Sequence, residues 1–170
     1  MDQRRLGFIG AGNMAEAICR GVLQSRLFAR EGILAADIME ARRQVFAEEL
    51  KVRVTERASE VAACCDVVVL AVKPQQMARA LEAFGGRMRT DQMAISIMAG
   101  VPTSKIELAC GEGARVVRVM PNTPMLVGKG MSAVCGGRYA RPEDVETALR
   151  ICREMGEAVE TAEGLMDAVT

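Results

Sequence analysis

The 170-residue sequence has no histidine and no tryptophan, and aromatic residues make up only 3% of it. The absence of histidine excludes nucleophilic sites of the Ser-His and Cys-His types. It also disfavours a zinc site, because histidine is a preferred ligand of that metal. Any proton needed at a reacting centre must therefore come from Lys, Asp, Glu, Cys, Tyr or water. We predict that the protein holds no metal.

Neither sign of charge predominates, since 22 Lys and Arg residues balance 22 Asp and Glu residues. A chain with this balance has no basic field of the kind that attracts nucleic acid or anionic lipid. No apolar run approaches the roughly 20 residues that a membrane-spanning helix needs, and the charged N-terminus does not resemble a signal peptide. We therefore predict no nucleic-acid partner and no membrane partner.

The six cysteines form no C-x-x-C pair, and most of them lie in apolar or helical segments. This pattern is typical of reduced thiols that pack as small hydrophobic side chains in a cytoplasmic protein. We therefore predict a cytoplasmic location and no disulfides.

The most informative segment is residues 5–23, where an apolar run gives way to a glycine turn and then to helical spacing of apolar residues. Gly10, Gly12 and Ala15 have the G-x-G-x-x-A spacing that binds a dinucleotide in a strand–turn–helix unit. Gly10 permits the tight turn, Gly12 allows the backbone to approach a pyrophosphate, and Ala15 lets the helix lie close to the strand. The unpaired N–H groups at the start of the helix then face the phosphates. The alternative is a glycine turn that binds nothing.

Strand-like and helix-like segments alternate along the whole chain, without linkers, repeats or low-complexity stretches. This alternation predicts an α/β fold with a doubly wound, mostly parallel sheet of the Rossmann type. The expected strand order is 3-2-1-4-5-6, with extra strands at one edge. Residues 1–160 form the predicted dinucleotide-binding domain, and residues 161–170 are too few to begin another. The predicted strands are 6–9, 33–37, 52–54, 66–72, 93–98, 115–120, 131–135 and 157–160.

In such a sheet a ligand binds at the carboxyl ends of the strands, where the strand order reverses. The loops expected there are 71–74, 98–101 and 120–124, after the fourth, fifth and sixth strands. Lys73 is one of only four lysines and is a candidate ligand contact; the alternative is an ordinary surface lysine. Asn122, between two prolines, is either a ligand contact or the residue that closes an Asx turn.

Asp37 ends the second predicted strand, near the position where an acidic side chain usually accepts hydrogen bonds from the adenosine ribose of the cofactor. A carboxylate there would repel the 2′-phosphate of NADP. Asp37 therefore favours NAD slightly, with both cofactors bound. Against this preference, Arg42 and Arg43 follow closely and could pair with a phosphate. The alternative is that Asp37 only caps the following helix.

Four segments of the sequence resemble pyrroline-5-carboxylate reductase, the enzyme that makes proline by reducing a cyclic imine. They keep the order and spacing of that family and span the whole chain. The segments are Gly-Phe-Ile-Gly-Ala-Gly-Asn-Met-Ala at 7–15, Ala-Val-Lys-Pro at 71–74, Ser-Ile-Met-Ala-Gly-Val at 96–101 and Arg-Val-Met-Pro-Asn-Thr-Pro at 118–124. Val127-Gly128 and Gly130-Met131 continue the pattern.

The resemblance implies a site for NAD or NADP along the predicted ligand edge, to which the residue pattern adds Asp37. The candidate cofactor-binding residues are Gly10, Ala11, Gly12, Asn13, Met14, Ala15, Asp37, Ala71, Val72, Lys73, Pro74, Ala99 and Gly100. Asn122 and Thr123 are placed on the substrate side, where a cyclic imino acid would bind. No residue is assigned as the proton donor.

The family also has an all-helical C-terminal domain, which forms the dimer and holds the substrate carboxylate. This sequence stops at Thr170, where that domain would begin, so residues 161–170 are expected to start the connection to it. We therefore expect the cofactor-binding part alone, inactive or weakly active by itself, from a parent protein that is a homo-oligomer through the missing domain.

Two alternatives remain open. One is another two-domain dehydrogenase, of the hydroxyisobutyrate or prephenate type, although those would lack the Met-Pro-Asn-Thr-Pro loop. The other is a non-enzymatic module that binds nicotinamide nucleotides.

Overall fold

The computed structural model describes residues 2–168, which contain a single eight-stranded sheet. The strands are β1 Leu6–Ile9, β2 Ile33–Ala36, β3 Arg53–Thr55, β4 Val67–Leu70, β5 Met93–Ser96, β6 Arg115–Pro121, β7 Gly130–Gly136 and β8 Gly156–Glu160. Their order is β3-β2-β1-β4-β5-β6-β7-β8. The predicted order, with two extra strands at one edge, is confirmed.

All neighbouring strands are parallel except β6 and β7. The connection between these two strands is too short to cross the sheet, so the chain must turn back antiparallel. β4 and β5 end at Leu70 and Ser96, two residues earlier than the predicted strands 66–72 and 93–98. Residues 71–72 and 97–98, which were predicted as strand, therefore belong to the loops at the carboxyl edge of the sheet.

Within the described residues, six α-helices lie between the strands. They are α1 Asn13–Gln24, α2 Glu40–Gln44, α3 Ala58–Cys64, α4 Met77–Leu81, α5 Thr103–Cys110 and α6 Pro142–Arg153. The second helix continues as a π-helical turn over Val45–Glu49. α4 lies between two 3₁₀ turns, Pro74–Gln76 and Glu82–Phe84. The second turn ends at Gly85, which adopts the left-handed conformation that ends helices.

The core has one layer on each face of the sheet, because alternate residues of each strand point to opposite faces. Leu6 and Phe8 belong to the layer that includes residues of α1, α6 and the π-helical turn, where Phe8 packs edge to face against Phe46. Ile9 and Leu70 belong to the layer under α3, α4 and α5. With helices on both faces, the central parallel strands β1, β2, β4 and β5 are buried along their length, so a ligand can approach them at their ends.

A 3₁₀ segment, Glu163–Ala168, lies against the β6–β7 part of the sheet. Met166 is buried in a small cluster with Ala133 and Cys135, and Asp167 accepts a hydrogen bond of 2.6 Å from the buried Arg118.

The predicted end of the dinucleotide-binding domain at residue 160 stays a prediction. Within residues 2–168, no helix is long and apolar enough to cross a membrane.

Candidate functional site

The candidate site lies where β1 pairs with β2 on one side and with β4 on the other. Two backbone hydrogen bonds join the carboxyl ends of these strands: Gly10 N–H donates to Ala36 O at 2.8 Å, and Ala71 N–H donates to Ile9 O at 2.9 Å. The glycine turn therefore begins inside the sheet and leaves it between two neighbouring loops. This is the position at which a doubly wound sheet opens a crevice.

Two glycines of the turn have different physical roles. Gly10 has a φ of +95°, and a Cβ placed on it would lie 2.7 Å from the carbonyl oxygen of Ala71. Gly12 has a φ of −69°, and a Cβ placed on it would meet no atom within 4 Å. Gly10 is therefore required by the fold itself, whereas the backbone at Gly12 borders open space in which a ligand fits.

Gly12 is also the N-cap residue of α1, and no side chain caps the first N–H groups of that helix. These donors and the positive end of the helix dipole together favour an anion. Ala15, one turn into the helix, is completely buried, which keeps the helix start close to the strand. The residues present thus fit the pyrophosphate of a dinucleotide.

Asp37, just after β2, and Arg42, in α2, hold the N–H and the carbonyl oxygen of Ala11. The Ala11 N–H donates to Asp37 Oδ2 at 2.7 Å, and Arg42 Nε donates to Ala11 O at 2.6 Å. The other oxygen of Asp37 accepts a hydrogen bond of 2.8 Å from the N–H of Met39. The carboxylate of Asp37 therefore fixes both the glycine turn and its own loop, while Arg42 fixes the turn through the carbonyl oxygen of Ala11.

Arg42 continues into a network of charges. Its Nη2 donates to Glu16 Oε2 at 2.7 Å, and Arg20 donates to Oε1 of the same carboxylate at 2.8 Å. Burial acts to raise the pKa of Glu16, but the hydrogen bonds from Arg42 and Arg20 outweigh it and lower the pKa below its ordinary value. Glu16 is therefore held as an anion with both oxygens occupied.

Sequence reasoning missed Glu16. Its contact with Arg42 joins residues 26 positions apart, and no local spacing signals such a pair. Arg43 is also engaged, since its Nη1 donates to the carbonyl oxygens of Asp37 and Ile38 at 2.8 and 3.1 Å. Neither of the arginines that follow Asp37 is free in this structure.

The loops after β4 and β5 lie side by side, because Ile97 N–H donates to Leu70 O at 3.1 Å. Ala71 and Val72 are half-buried, and the residues at the rim are exposed. Gly100 has a φ of +67° and open space at its Cβ position. The exposed rim residues are Lys73, Pro74, Ala99 and Gly100.

The loop after β6, for which no helical structure was predicted, contains a 3₁₀ turn over Thr123–Val127. The side-chain oxygen of Asn122 accepts a hydrogen bond of 2.9 Å from the Met131 N–H and so closes the loop. The NH₂ group of Asn122 makes no hydrogen bond within the part of the chain that the structure describes. Asn122 and Thr123 are exposed, so this loop presents an amide and a hydroxyl at the rim.

The buried thiols are poor nucleophiles. Burial raises the pKa of Cys19 and of Cys110 to about 12, so both remain protonated near neutral pH. Among residues 2–168 there is no group of three or more His, Cys, Asp or Glu side chains arranged to hold a metal ion. The chemistry that the arrangement itself supports is the binding and orientation of a dinucleotide.

Comparison with known proteins gives matches for the whole chain. A pyrroline-5-carboxylate reductase of Methanosarcina acetivorans is 39% identical over 170 residues, which are 100% of this chain and 63% of that protein. A solved pyrroline-5-carboxylate reductase of Coxiella burnetii matches with a TM-score of 0.92 at 29% identity, covering 99% of this chain and 63% of the other. A pyrroline carboxylate reductase of Plasmodium falciparum, solved with NADP bound, matches with a TM-score of 0.83 at 26% identity, covering 100% and 62% of the two chains. The chain thus spans less than two thirds of the length of these relatives.

The resemblance to pyrroline-5-carboxylate reductase is confirmed by these relatives, and it extends over the full length of the chain. A family model described as "NADP oxidoreductase coenzyme F420-dependent" matches residues 5–100, which include the glycine turn and the loops after β4 and β5. The chain therefore belongs to this family of NAD(P)-binding oxidoreductases.

Proposed function

We propose that this chain forms the cofactor-holding part of a pyrroline-5-carboxylate reductase. Such an enzyme reduces 1-pyrroline-5-carboxylate to proline with NAD(P)H, a step of proline biosynthesis. The observation that carries the proposal is the glycine turn between β1 and α1, with open space at Gly12 and uncapped helix N–H groups beside it. The Methanosarcina acetivorans relative, which has that enzyme's name and is 39% identical over the whole chain, supports it.

The proposed division of the edge follows the order of its loops. The turn from Gly10 to Ala15 holds the pyrophosphate, and the loops at 71–74 and 99–100 hold the nicotinamide half. The bound cofactor supplies the hydride. The contribution of the chain is to fix the cofactor so that one face of the ring is directed toward the substrate, since hydride transfer requires close and aligned reactants.

On the substrate side we propose a role for Asn122 and Thr123. The oxygen of Asn122 is used to close its loop, which leaves the NH₂ group as a donor toward the rim. Lys73, on the loop after β4, is exposed. We propose that these groups do not by themselves hold the substrate carboxylate, so that substrate positioning by this chain alone is incomplete.

We propose a modest preference for NAD over NADP, with both cofactors bound. The charge of Asp37 at the adenosine side is stabilised by two backbone N–H groups, and a fixed carboxylate there repels a 2′-phosphate. Arg42 and Arg43 are both engaged by protein oxygens. The bound NADP of the Plasmodium falciparum structure weighs toward the other cofactor, which is why the expected preference is small.

Paired calorimetric titrations with NADH and NADPH test this preference. We expect wild type to bind NADH a few-fold more tightly and Asp37→Ser to reduce that ratio. If wild type already prefers NADPH, or if the substitution leaves the ratio unchanged, Asp37 serves only to fix the glycine turn.

The activity of the isolated chain is tested by following NADH oxidation on addition of 1-pyrroline-5-carboxylate. We expect the chain to bind NADH but to turn over far below the ordinary enzyme range of about 1–1,000 per second. A rate within that range would overturn the proposal that the site is partial. Failure to bind either dinucleotide would overturn the assignment of the cofactor site.

We further propose that this chain does not assemble into an oligomer by itself. Light scattering of residues 1–170 is then expected to give the monomer mass. A stable dimer whose mass is independent of concentration would contradict this.

A further inference from the structure

The side chain of Glu16 pairs with Arg42, the arginine that holds the glycine turn on the adenosine side of the site. It lies in the first turn of α1 and accepts hydrogen bonds from Arg42 at 2.7 Å and from Arg20 at 2.8 Å. Only 21% of the Glu16 side chain and 24% of the Arg42 side chain are exposed. Because the pair is shielded on most sides, solvent screens it less than an ordinary surface pair.

The guanidinium of Arg42 is held away from α2, the helix that carries it. Arg42 lies five positions after Asp37, yet its guanidinium reaches back to Ala11 O and to Glu16. Arg43, the next residue of α2, donates instead to the carbonyl oxygens of the segment just before that helix. Release of Arg42 would therefore add a mobile guanidinium beside Asp37, whereas Arg43 is fixed by the backbone that carries it.

The residues between Asp37 and α2 do not offer another receptor for a phosphate. Ile38 and Met39 are apolar, and their exposures are 61% and 60%. A 2′-phosphate is best bound by a planar guanidinium, which donates two parallel hydrogen bonds. Within residues 37–44, where Arg43 is tied to backbone oxygens, the supply of such a group thus depends on where Arg42 is held.

We propose that Glu16 is a specificity-determining residue: by holding Arg42 against the glycine turn, it withholds the guanidinium from a 2′-phosphate and favours NAD. This inference rests on the proposed cofactor site. Glu16 acts here through Arg42 and is a positioning residue. Its negative charge near the helix start affects the pyrophosphate of both cofactors equally, so that contribution cancels in the ratio of the two affinities.

The test uses the full chain and measures dissociation constants for NADH and NADPH by calorimetry. Glu16→Gln keeps the size and one acceptor oxygen but removes the charge that holds Arg42. We expect the affinity for NADPH relative to NADH to rise about five-fold. In the double variant Glu16→Gln/Arg42→Met this gain disappears, because the released guanidinium is gone.

Glu49→Gln is the matched control. Glu49 belongs to the same network, since Arg20 donates to it at 2.5 Å, but it does not contact Arg42. The same loss of one charge should leave the ratio of affinities unchanged. If Glu16→Gln and Glu49→Gln change the ratio equally, the effect is one of net charge and the inference fails.

Two further measurements keep the outcomes distinct. If Glu16→Gln does not fold, Glu16→Ala is titrated with adenosine 2′,5′-bisphosphate and with AMP, where a gain for the bisphosphate alone is expected. If the variants bind both dinucleotides with the wild-type ratio, the role of Glu16 is refuted and the cofactor site stands. If wild type binds neither dinucleotide, the cofactor site itself fails.

Discussion

At the carboxyl ends of β1 and β2, the N–H and the carbonyl oxygen of Ala11 are hydrogen-bonded, and so are both carboxylate oxygens of Asp37. At the carboxyl ends of β4 to β6, the side chains of Lys73 and Thr123 make no hydrogen bond within residues 2–168, and Asn122 makes one. The sheet edge thus has two different sides. On the β1–β2 side, which we call the fixed side, the polar groups are hydrogen-bonded within the protein. On the β4–β6 side, the open side, most of the polar side chains are exposed without such partners.

The difference indicates how binding is distributed along the edge. The fixed side does not need to be ordered when a ligand arrives, which lowers the entropic cost of binding there. The open side presents donors without orienting them, so its groups need additional contacts to act on a small substrate. We therefore expect changes on the fixed side to affect stability and cofactor affinity together, and changes on the open side to be local.

The largest expected effect is that of Gly10→Ala. The new Cβ would lie 2.7 Å from Ala71 O, at a φ of +95°, so we expect a loss of about 2–4 kcal/mol in the free energy of unfolding. Urea unfolding measures it. Gly85→Ala is the control, because Gly85 has a φ of +58° but open space around its Cβ position. Equal losses of stability in the two variants would mean that the close contact between Gly10 and Ala71 O does not contribute to the effect.

Gly12→Val is expected to affect binding alone. Its branched side chain would enter the open space beside the start of α1, so we expect the affinity for NADH to fall at least about 100-fold, or about 2.7 kcal/mol. Calorimetry measures the affinity and circular dichroism checks the fold. Gly164→Val, also in open space but in the segment over β6 and β7, should bind as wild type does. Unchanged affinity in Gly12→Val would contradict the assignment of the turn.

Asn122→Ala probes the open side. Loss of the hydrogen bond to the Met131 N–H should cost about 1 kcal/mol or less, and the effect should be confined to the loop. Hydrogen exchange of the Met131 amide should become faster in this variant and stay unchanged in Thr123→Ala. A global loss of exchange protection would show that the loop is as tightly integrated as the glycine turn.

The smallest expected effect is a dependence on pH. Because the pKa of Glu16 is lowered in the folded protein, its contribution to stability is fully present above the ordinary glutamate pKa and is lost as the pH falls through the folded-state value. The contribution is about 0.5 kcal/mol for a partly exposed pair. Unfolding of wild type and Glu16→Gln at pH 7 and pH 3 should show a difference in stability that is smaller at the lower pH. A difference of the same size at both pH values would mean that the charge of Glu16 is not its source.

Much of the fold follows from local pattern. The apolar runs, the glycine turn at 10–12 and the stop at Gly85 mark elements whose type depends on backbone geometry and on burial of neighbouring residues, both of which are periodic in sequence. Strand ends were less well predicted, as at Leu70 and Ser96, because apolar residues continue past the last ladder hydrogen bond. The 3₁₀ turn at Thr123–Val127 has no periodic signal either, since a contact from Asn122 to Met131 closes its loop.

The sequence by itself determined the strand–turn–helix unit, the doubly wound sheet and the positions of the loops at its carboxyl edge, because these depend on short-range spacing and on chain connectivity. Only the tertiary structure decided the long-range contacts of Asp37, Arg42 and Glu16. These hydrogen bonds join α1, the glycine turn, the β2–α2 connection and α2 across 26 residues or more. A charged side chain binds the groups that the fold brings within about 3 Å of it. For residues far apart in the chain, that distance cannot be predicted from their spacing in the sequence.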